Sequence, residues 1–395
     1  MKFWGIRLLS VVLVVLVCLG IEAFSLRDPL YPRLLSLAGL YVTLAVSLNL
    51  INGITGQFSM GHAAFYMVGA YTGGYLSITQ AQKWGLTGFG LMVVLMLAGA
   101  LGAAAAGLIV GLPSLRLKGD YLAVVTLGFG EIIRIIAQNS EKLGGAYGFN
   151  VAPKFQSIAL IWLLAFLTIA VCRNLLKTAH GLPYLAVRED EIASAAMGVN
   201  VTGVKVTAFV LGSAFAGAAG ALLASFEGLL TPTMFSMDLS FIILTMVVLG
   251  GTGSITGSAI AAIILFYLPE ALRDIQPVTG ASLLGAVIGV VVSVVAVKKI
   301  SDNYHGGKAK KAGFFVASCA GGVLVWFILA TVLRNVPSLV SATYEGSKLR
   351  MVIFAASLII LMLLRPQGVF AHHEFSWTWV GRLLGKKGPN TAVSS

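Results

Sequence analysis

Few residues in this chain are equipped for chemistry, and their spacing narrows what they do. Glu131 and Arg134 stand three apart in one apolar run. An ionisable residue inside such a run is a functional candidate, and a buried acid is what an ion-coupled carrier needs. At i, i+3, however, the two share a helix face and neutralise each other, so the pair reads as structural. His372-His373-Glu374 offers metal-ligating types, but adjacent histidines point apart on a helix and no third ligand motif stands nearby. Cys18, Cys172 and Cys319 fall in or at the ends of apolar runs without a CxxC, which suits packing and not a metal or disulfide framework. Gly306-Gly307-Lys308 lacks both the earlier Gly and the Ser/Thr of a phosphate loop, and no G-x-x-x-x-G-K-[ST] occurs elsewhere. The chain therefore carries no nucleotide cofactor of its own. With no nucleophile–base grouping at one membrane depth, an enzyme is the weakest class.

Two glycine-rich segments are more informative. Gly53-Ile54-Thr55-Gly56-Gln57-Phe58-Ser59 and Gly250-Gly251-Thr252-Gly253-Ser254-Ile255-Thr256 share the order glycine, any residue, Thr, Gly, polar, apolar, hydroxyl. Both interrupt apolar stretches. Unwound backbone at membrane depth leaves N–H and C=O groups that are costly in lipid but useful where a polar solute or water passes. The bland alternative is a pair of glycine turns at helix ends. On the first reading Asn49, Asn52, Gly53, Thr55, Gly56, Gln57, Ser59, Gly61 and His62 are candidates for a translocation path, joined by Gly250, Gly251, Thr252 and Gly253. His62, just after the first break, either faces that path or makes a hydrogen bond at a helix start.

These segments need a membrane around them, and the composition supplies one. Of 395 residues, 58% are hydrophobic and 11% charged, against about 25% charged in soluble domains. The mean hydropathy is +0.92. Gly is found 46 times, where average usage of about 7% gives roughly 28. Glycine is frequent in membrane helices because it lets backbones approach. The fold class is an all-α polytopic membrane protein, with no stretch polar enough for a large soluble domain. The net charge of +12 does not point to nucleic acid, because the basic residues sit in short loops between apolar runs.

Apolar runs cover residues 8–24, 34–52, 62–79, 89–112, 121–137, 157–172, 204–226, 239–250, 257–269, 281–297, 313–333 and 350–364. They predict about 10–12 membrane segments, most of which reach the roughly 20 residues of a span once their ends extend. Residues 239–250 and 257–269 are too short, and predict broken or re-entrant helices. The first run, after Lys2 and Arg7, could open a signal peptide, but it is long and lacks a clean cleavage site, so it reads as a membrane helix. With the N-terminus inside, inner loops hold 16 Lys and Arg and outer loops 9. That bias puts both termini in the cytoplasm.

One inner loop differs from the rest. Pro183 to Gly198 has a proline start, a glycine stop and alternating apolar and charged residues, which predicts an amphipathic surface helix over about 183–199. Glu189, Asp190 and Glu191 would be repelled by an anionic leaflet, so a protein partner is the better reading than the lipid surface. Candidate contact residues are Arg188, Glu189, Asp190, Glu191, Ala195, Ala196 and Gly198.

At these residues the chain resembles a known family, the LivM/LivH-like permeases of high-affinity branched-chain amino-acid ABC importers, closer to the LivM type. The resemblance rests on Asn49 to Phe65 with Gly69-Ala70-Tyr71, on Leu115 to Tyr121 and Thr126 to Glu131, on Ala186 to Gly198, on Met246 to Ser254, and on Arg365-Pro366-Gln367-Gly368. These motifs stand in the family's order over about 35–370. The resemblance implies a type II-like importer permease in the bacterial inner membrane. A second, paralogous permease subunit would complete the path, and two cytoplasmic ATPase subunits, which bind ATP and Mg, would grip the 183–199 helix. A periplasmic binding protein would deliver the amino-acid substrate, and the chain itself would not be an enzyme. One departure stands out: about 70 extra residues, roughly 277–347, separate Arg273 from the last helix. The expected organisation is a core permease domain over 1–276, an inserted two-helix hairpin with a basic cytoplasmic loop over 277–347, a last core helix over 348–370 and a cytoplasmic tail over 371–395. Rival expectations are the same architecture importing urea or short amides, and a stand-alone ion-coupled carrier.

Overall fold

The computed structural model describes residues 14–23, 31–84, 88–114, 120–151 and 157–271, with isolated positions at 278–279, 321, 343–344, 355, 359 and 368. The chain divides into two units, one of Met1–Tyr267 with Ile360–Ser395 and one of Leu268–Ile359. In the second unit the described pairing is a ladder of β3 (Val278–Thr279) with β4 (Thr343–Tyr344). The expected spans of the insertion and the last core helix lie almost wholly outside the described residues.

The first unit is built from helices that follow the apolar runs. They are α1 (Val14–Ala23), α2 (Tyr31–Asn49), α3 (His62–Trp84), α4 (Gly88–Ser114), α5 (Asp120–Asn139), α6 (Ile158–Lys177), α9 (Val201–Glu227), α10 (Met237–Gly250) and α11 (Ile255–Ala271). Between α6 and α9 lie the short α7 (Leu182–Glu189) and α8 (Glu191–Ala196). Among the described residues six helices are long and apolar enough to cross a membrane: α2 with its extension to Ile54, α4, α5, α6, α9, and α10 with the turn before it. The chain is a multi-pass membrane protein. The larger expected count includes runs outside the described residues, together with α1, α3 and α11. At 23 residues α3 has the length of a span but carries many hydroxyl and amide side chains. It packs against α4, α5, α9 and α10, and a helix wrapped by others need not be as apolar as lipid.

The packing core is the trio α3, α4 and α9, and small residues make it close. A Cβ on Gly69 of α3 would overlap the backbone of Gly217 on α9, and one on Gly217 would overlap Gly99 and Ala103 of α4. In a bilayer, where lipid tails are as apolar as leucine, such close contact and its dispersion energy drive helix association. Phe65 and Phe209 fill the space beside this seam in an edge-to-face pair, centroids 5.4 Å apart. By contrast α5 lies at the rim: 22% of its apolar window is buried, against 78% for α2.

Three features differ from the expectation. Residues 239–250 are not too short to cross, because the turn at Pro232–Phe235 and α10 together make a 19-residue apolar stretch, Pro232–Gly250. The fold is not wholly helical, because β1 (Phe149–Asn150) pairs antiparallel with β2 (Leu229–Leu230). Next to it Val151 N donates to Gly228 O at 2.7 Å. This ladder satisfies loop backbone that would otherwise be unpaired. The amphipathic segment over 183–199 is also two helices and not one. Asp190 breaks it with extended backbone (φ −157°, ψ 115°), and its carboxylate accepts from the N–H groups of Ile192 and Ala193 to cap α8. An aspartate in mid-segment favours this cap because its side chain competes for local backbone donors.

Candidate functional site

The first glycine-rich segment is a break between α2 and α3. The end of α2 widens into a π-helical turn, Leu50–Ile54, and irregular backbone runs from Thr55 to Gly61. Its polar groups are tied down locally. Asn52 Nδ2 donates to Ser59 O at 3.1 Å, and Asn52 Oδ1 accepts from Ser59 N at 3.2 Å. Thr55 Oγ1 donates to Ile51 O at 2.7 Å, and Gln57 Nε2 donates to Thr55 Oγ1 at 3.0 Å and to Lys205 O at 3.2 Å. Met60 N reaches Thr126 Oγ1 of α5 and Ala63 N reaches Ser240 Oγ of α10, both at 3.1 Å. Gly61 sits where a Cβ would overlap Thr126 O. His62 opens α3 and is buried, with Nε2 2.8 Å from Ser47 Oγ. The ring thus bonds across to α2.

The second segment joins α10 to α11 through residues 251–254. Gly251 (φ 108°) and Gly253 (φ 93°) take backbone that only glycine adopts freely. Gly250 packs on Gly257, so the two helices cross almost backbone to backbone. Gly368 lies against Gly251 and Val248 O. Thr252 is exposed.

The two breaks meet. Asn49 Oδ1 accepts from Gly253 N at 2.9 Å, and a Cβ on Gly53 would collide with Asn49 Oδ1 and Gly253 N. Gly53, Thr55, Gln57, Ser59, Gly61, His62, Gly250 and Gly251 are all buried within this one chain. Among the described residues, Asn49 Nδ2, Gln57 Oε1, Ser59 Oγ and His62 Nδ1 are buried without a hydrogen-bond partner. Four such atoms within fourteen residues are a large concentration for a native protein, where buried polar groups are nearly always paired.

The candidate contact residues on α7 and α8 divide into two sets. Glu189, Asp190, Ala195, Ala196 and Gly198 are exposed, alongside the apolar Leu182, Leu185, Ile192 and Met197. Arg188 and Glu191 are partly covered. Glu191 pairs with Lys205 of α9, whose side chain is only 9% exposed. Arg188 Nη1 donates to Gly53 O at 3.2 Å. Lys205 falls in the apolar run 204–226, where nothing in the sequence points to its partner; Thr126 stands in a motif of the resemblance but without a role for its hydroxyl, and Ser240, a lone hydroxyl in an apolar run, gives no signal. The Glu131–Arg134 pair does form, at 2.7 Å. Among the described residues no group of three or more His, Cys, Asp or Glu could hold a metal ion.

The chain is 37% identical to the high-affinity branched-chain amino acid transport system permease protein LivM of Salmonella typhimurium, over 60% of this chain and 62% of that protein. It is 36% identical to LivM of Escherichia coli over 60% and 63%. Its identity to Escherichia coli LivH is 26% over 60% and 83%. The match thus spans less than two thirds of the length of either LivM relative. No solved structure gives a significant match. The family described as branched-chain amino acid transport system / permease component matches residues 30–296, well over half of the chain, and the chain belongs to that family.

Proposed function

We propose that the chain is a permease subunit of an ATP-driven importer for branched-chain or other apolar amino acids, set in the bacterial inner membrane with both termini in the cytoplasm. Its relatives are named as permeases of branched-chain amino acid transport. The buried meeting of two glycine breaks, with orphaned polar atoms on Asn49, Gln57, Ser59 and His62, is the observation that carries the reading. Irregular backbone between apolar spans is tolerated only where protein buries it or a water-filled cavity borders it, and glycine-broken segments in two parts of a chain are a pointer to a transport path. A second permease subunit completes the path and a periplasmic binding protein feeds it. Two ATPase subunits hold ATP and Mg and grip the exposed face of α7 and α8, so this chain performs no catalysis. The chemistry left to this chain is solvation: it offers hydrogen-bonding groups in place of water while the partner ATPases drive the change of shape.

The test is co-expression of the chain with its genetic neighbours, followed by purification and uptake of labelled leucine or urea into vesicles. A co-purifying ATPase and ATP-dependent leucine uptake are expected. Glu189→Lys with Met197→Asp, both on the exposed face of α7–α8, should release the ATPase while leaving the subunit in the membrane. Uptake that follows an ion gradient without ATP would sink the reading.

A further inference from the structure

We propose that Arg188 works inward: its guanidinium is the pin through which α7 moves both glycine breaks together. This deepens the importer reading and rests on it. Three contacts support it. Arg188 Nη1 donates to Gly53 O of the first break at 3.2 Å. A Cβ on Gly253 of the second break would lie 2.6 Å from the same Nη1 and 3.3 Å from Gly53 O. The Arg188 stem packs on Gly56, where a Cβ would lie 3.5 Å from Arg188 Cα and Cγ. One side chain of α7 thus touches both breaks, and its guanidinium has room there because residue 253 has no side chain.

The direction of the side chain sets it apart from its neighbours. Arg188 is the sole Lys or Arg between Lys177 and Lys205. Its side chain is 24% exposed, whereas the adjacent Glu189, 3.6 Å away at Nε, is 78% exposed. The element turns its acid out and its base in. A guanidinium has five donors in a rigid plane and can hold two backbones at once, which an ammonium on a flexible stem does poorly. A second thread runs in parallel: Glu191 of α8 holds Lys205, and Lys205 O accepts from Gln57 Nε2 of the first break at 3.2 Å. Displacement of α7 and α8 must either break these bonds or carry Gly53 and Gln57 along. Asn49 and Gly253 are bonded to each other, so the second break follows the first. Arg188 is a positioning residue; it acts on backbone and touches no solute.

The test uses the assembled complex of this chain with its partner permease and ATPases, in vesicles with the binding protein and leucine. Arg188→Gln, Arg188→Lys and Gly253→Ala are compared with wild type. Gly253→Ala crowds the guanidinium from the far side without altering α7, and because it also strains a turn at φ 93° it is compared with the same change in the Arg188→Gln background, where only the strain remains. The readouts are retained ATPase, basal hydrolysis, the ratio of stimulated to basal hydrolysis, and uptake. Arg188→Gln and Gly253→Ala should keep the ATPase bound and basal hydrolysis running. Stimulation and uptake should fall about tenfold or more, the scale of one lost charge-assisted hydrogen bond. Arg188→Lys should fall between. Wild-type uptake in Arg188→Gln, or normal stimulation in Gly253→Ala, would overturn the pin. Release of the ATPase by Arg188→Gln would make Arg188 a docking contact. Loss of basal and stimulated hydrolysis in equal proportion, with a lowered melting temperature, would make it a structural staple; either outcome overturns the proposal. If the wild-type chain brings down no ATPase at all, the importer reading itself fails.

Discussion

Asn49 and Gly253 are joined by a hydrogen bond across 204 residues of sequence, from the Gly253 N–H to Asn49 Oδ1 at 2.9 Å. The bond ties the last residue of α2 to the turn between α10 and α11. Those are the two places where the helical ladder is interrupted, so each break supplies a partner that the other lacks. Asn49 is fully buried. In Asn49→Leu the partly buried Gly253 amide loses its acceptor, which costs up to about 1–3 kcal/mol. The melting temperature of the purified subunit in detergent should fall, and uptake with it. An unchanged melting temperature would mean that the two breaks do not hold each other.

The acids of the surface element should not be equivalent. Glu191 faces Lys205, whose side chain is nearly covered, whereas Glu189 projects into solvent. Exposed ion pairs contribute about 0–1 kcal/mol. Removing the partner of a buried charge costs about 3–5 kcal/mol, to be discounted here because the Glu191 side chain is 41% exposed. Glu191→Ala should therefore lower thermal stability more than Glu189→Ala, and Glu191→Ala with Lys205→Met should recover part of the loss. Equal losses from the two single changes would show that Lys205 does not need Glu191.

Asp190 gives a third expectation. Its carboxylate caps α8 through Ile192 N at 2.8 Å and Ala193 N at 3.0 Å. Loss of an N-cap costs about 0.5–2 kcal/mol, and asparagine replaces aspartate well in that role. Asp190→Ala should loosen α8, measured as faster hydrogen exchange at 191–196, and Asp190→Asn should restore it. Equal exchange in wild type and Asp190→Ala would show that the cap is dispensable.

These contacts show where sequence reading stops. The apolar runs outline the helices because lipid and helix interior impose the same composition over about 20 residues. The glycine segments are legible because glycine has a distinct backbone role. Split α7 and α8 are not, because the apolar period continues through Asp190 and only its backbone angles reveal the cap. The inward turn of Arg188 is invisible for another reason. Its partners are the backbone of Gly53 and the empty place beside Gly253, 135 residues away in the first case, and a missing side chain leaves no charge or period to match. The hydroxyls of Thr126 and Ser240, which receive Met60 N and Ala63 N, look like any small polar residue in a membrane helix.

The Glu131–Arg134 pair supports a prediction whose sign separates two roles. The carboxylate accepts from Arg134 Nε at 2.8 Å, and both side chains are 25% exposed. They sit on α5, which among the described apolar spans is the one least covered by the rest of the chain. A charge within a span is tolerated when paired and expensive when alone. If the pair is only structural, Glu131→Gln strands a cation and Arg134→Gln strands an anion. Each single change then lowers stability and uptake, and the double change recovers both, because a helix with two neutral amides carries no stranded charge. If Glu131 instead serves an ion gradient, removing Arg134 as well does not restore uptake. A double-mutant cycle on melting temperature and on uptake therefore decides the matter. Positive coupling in both is expected. Recovery of melting temperature without recovery of uptake would assign Glu131 a part in transport that the ion pair conceals.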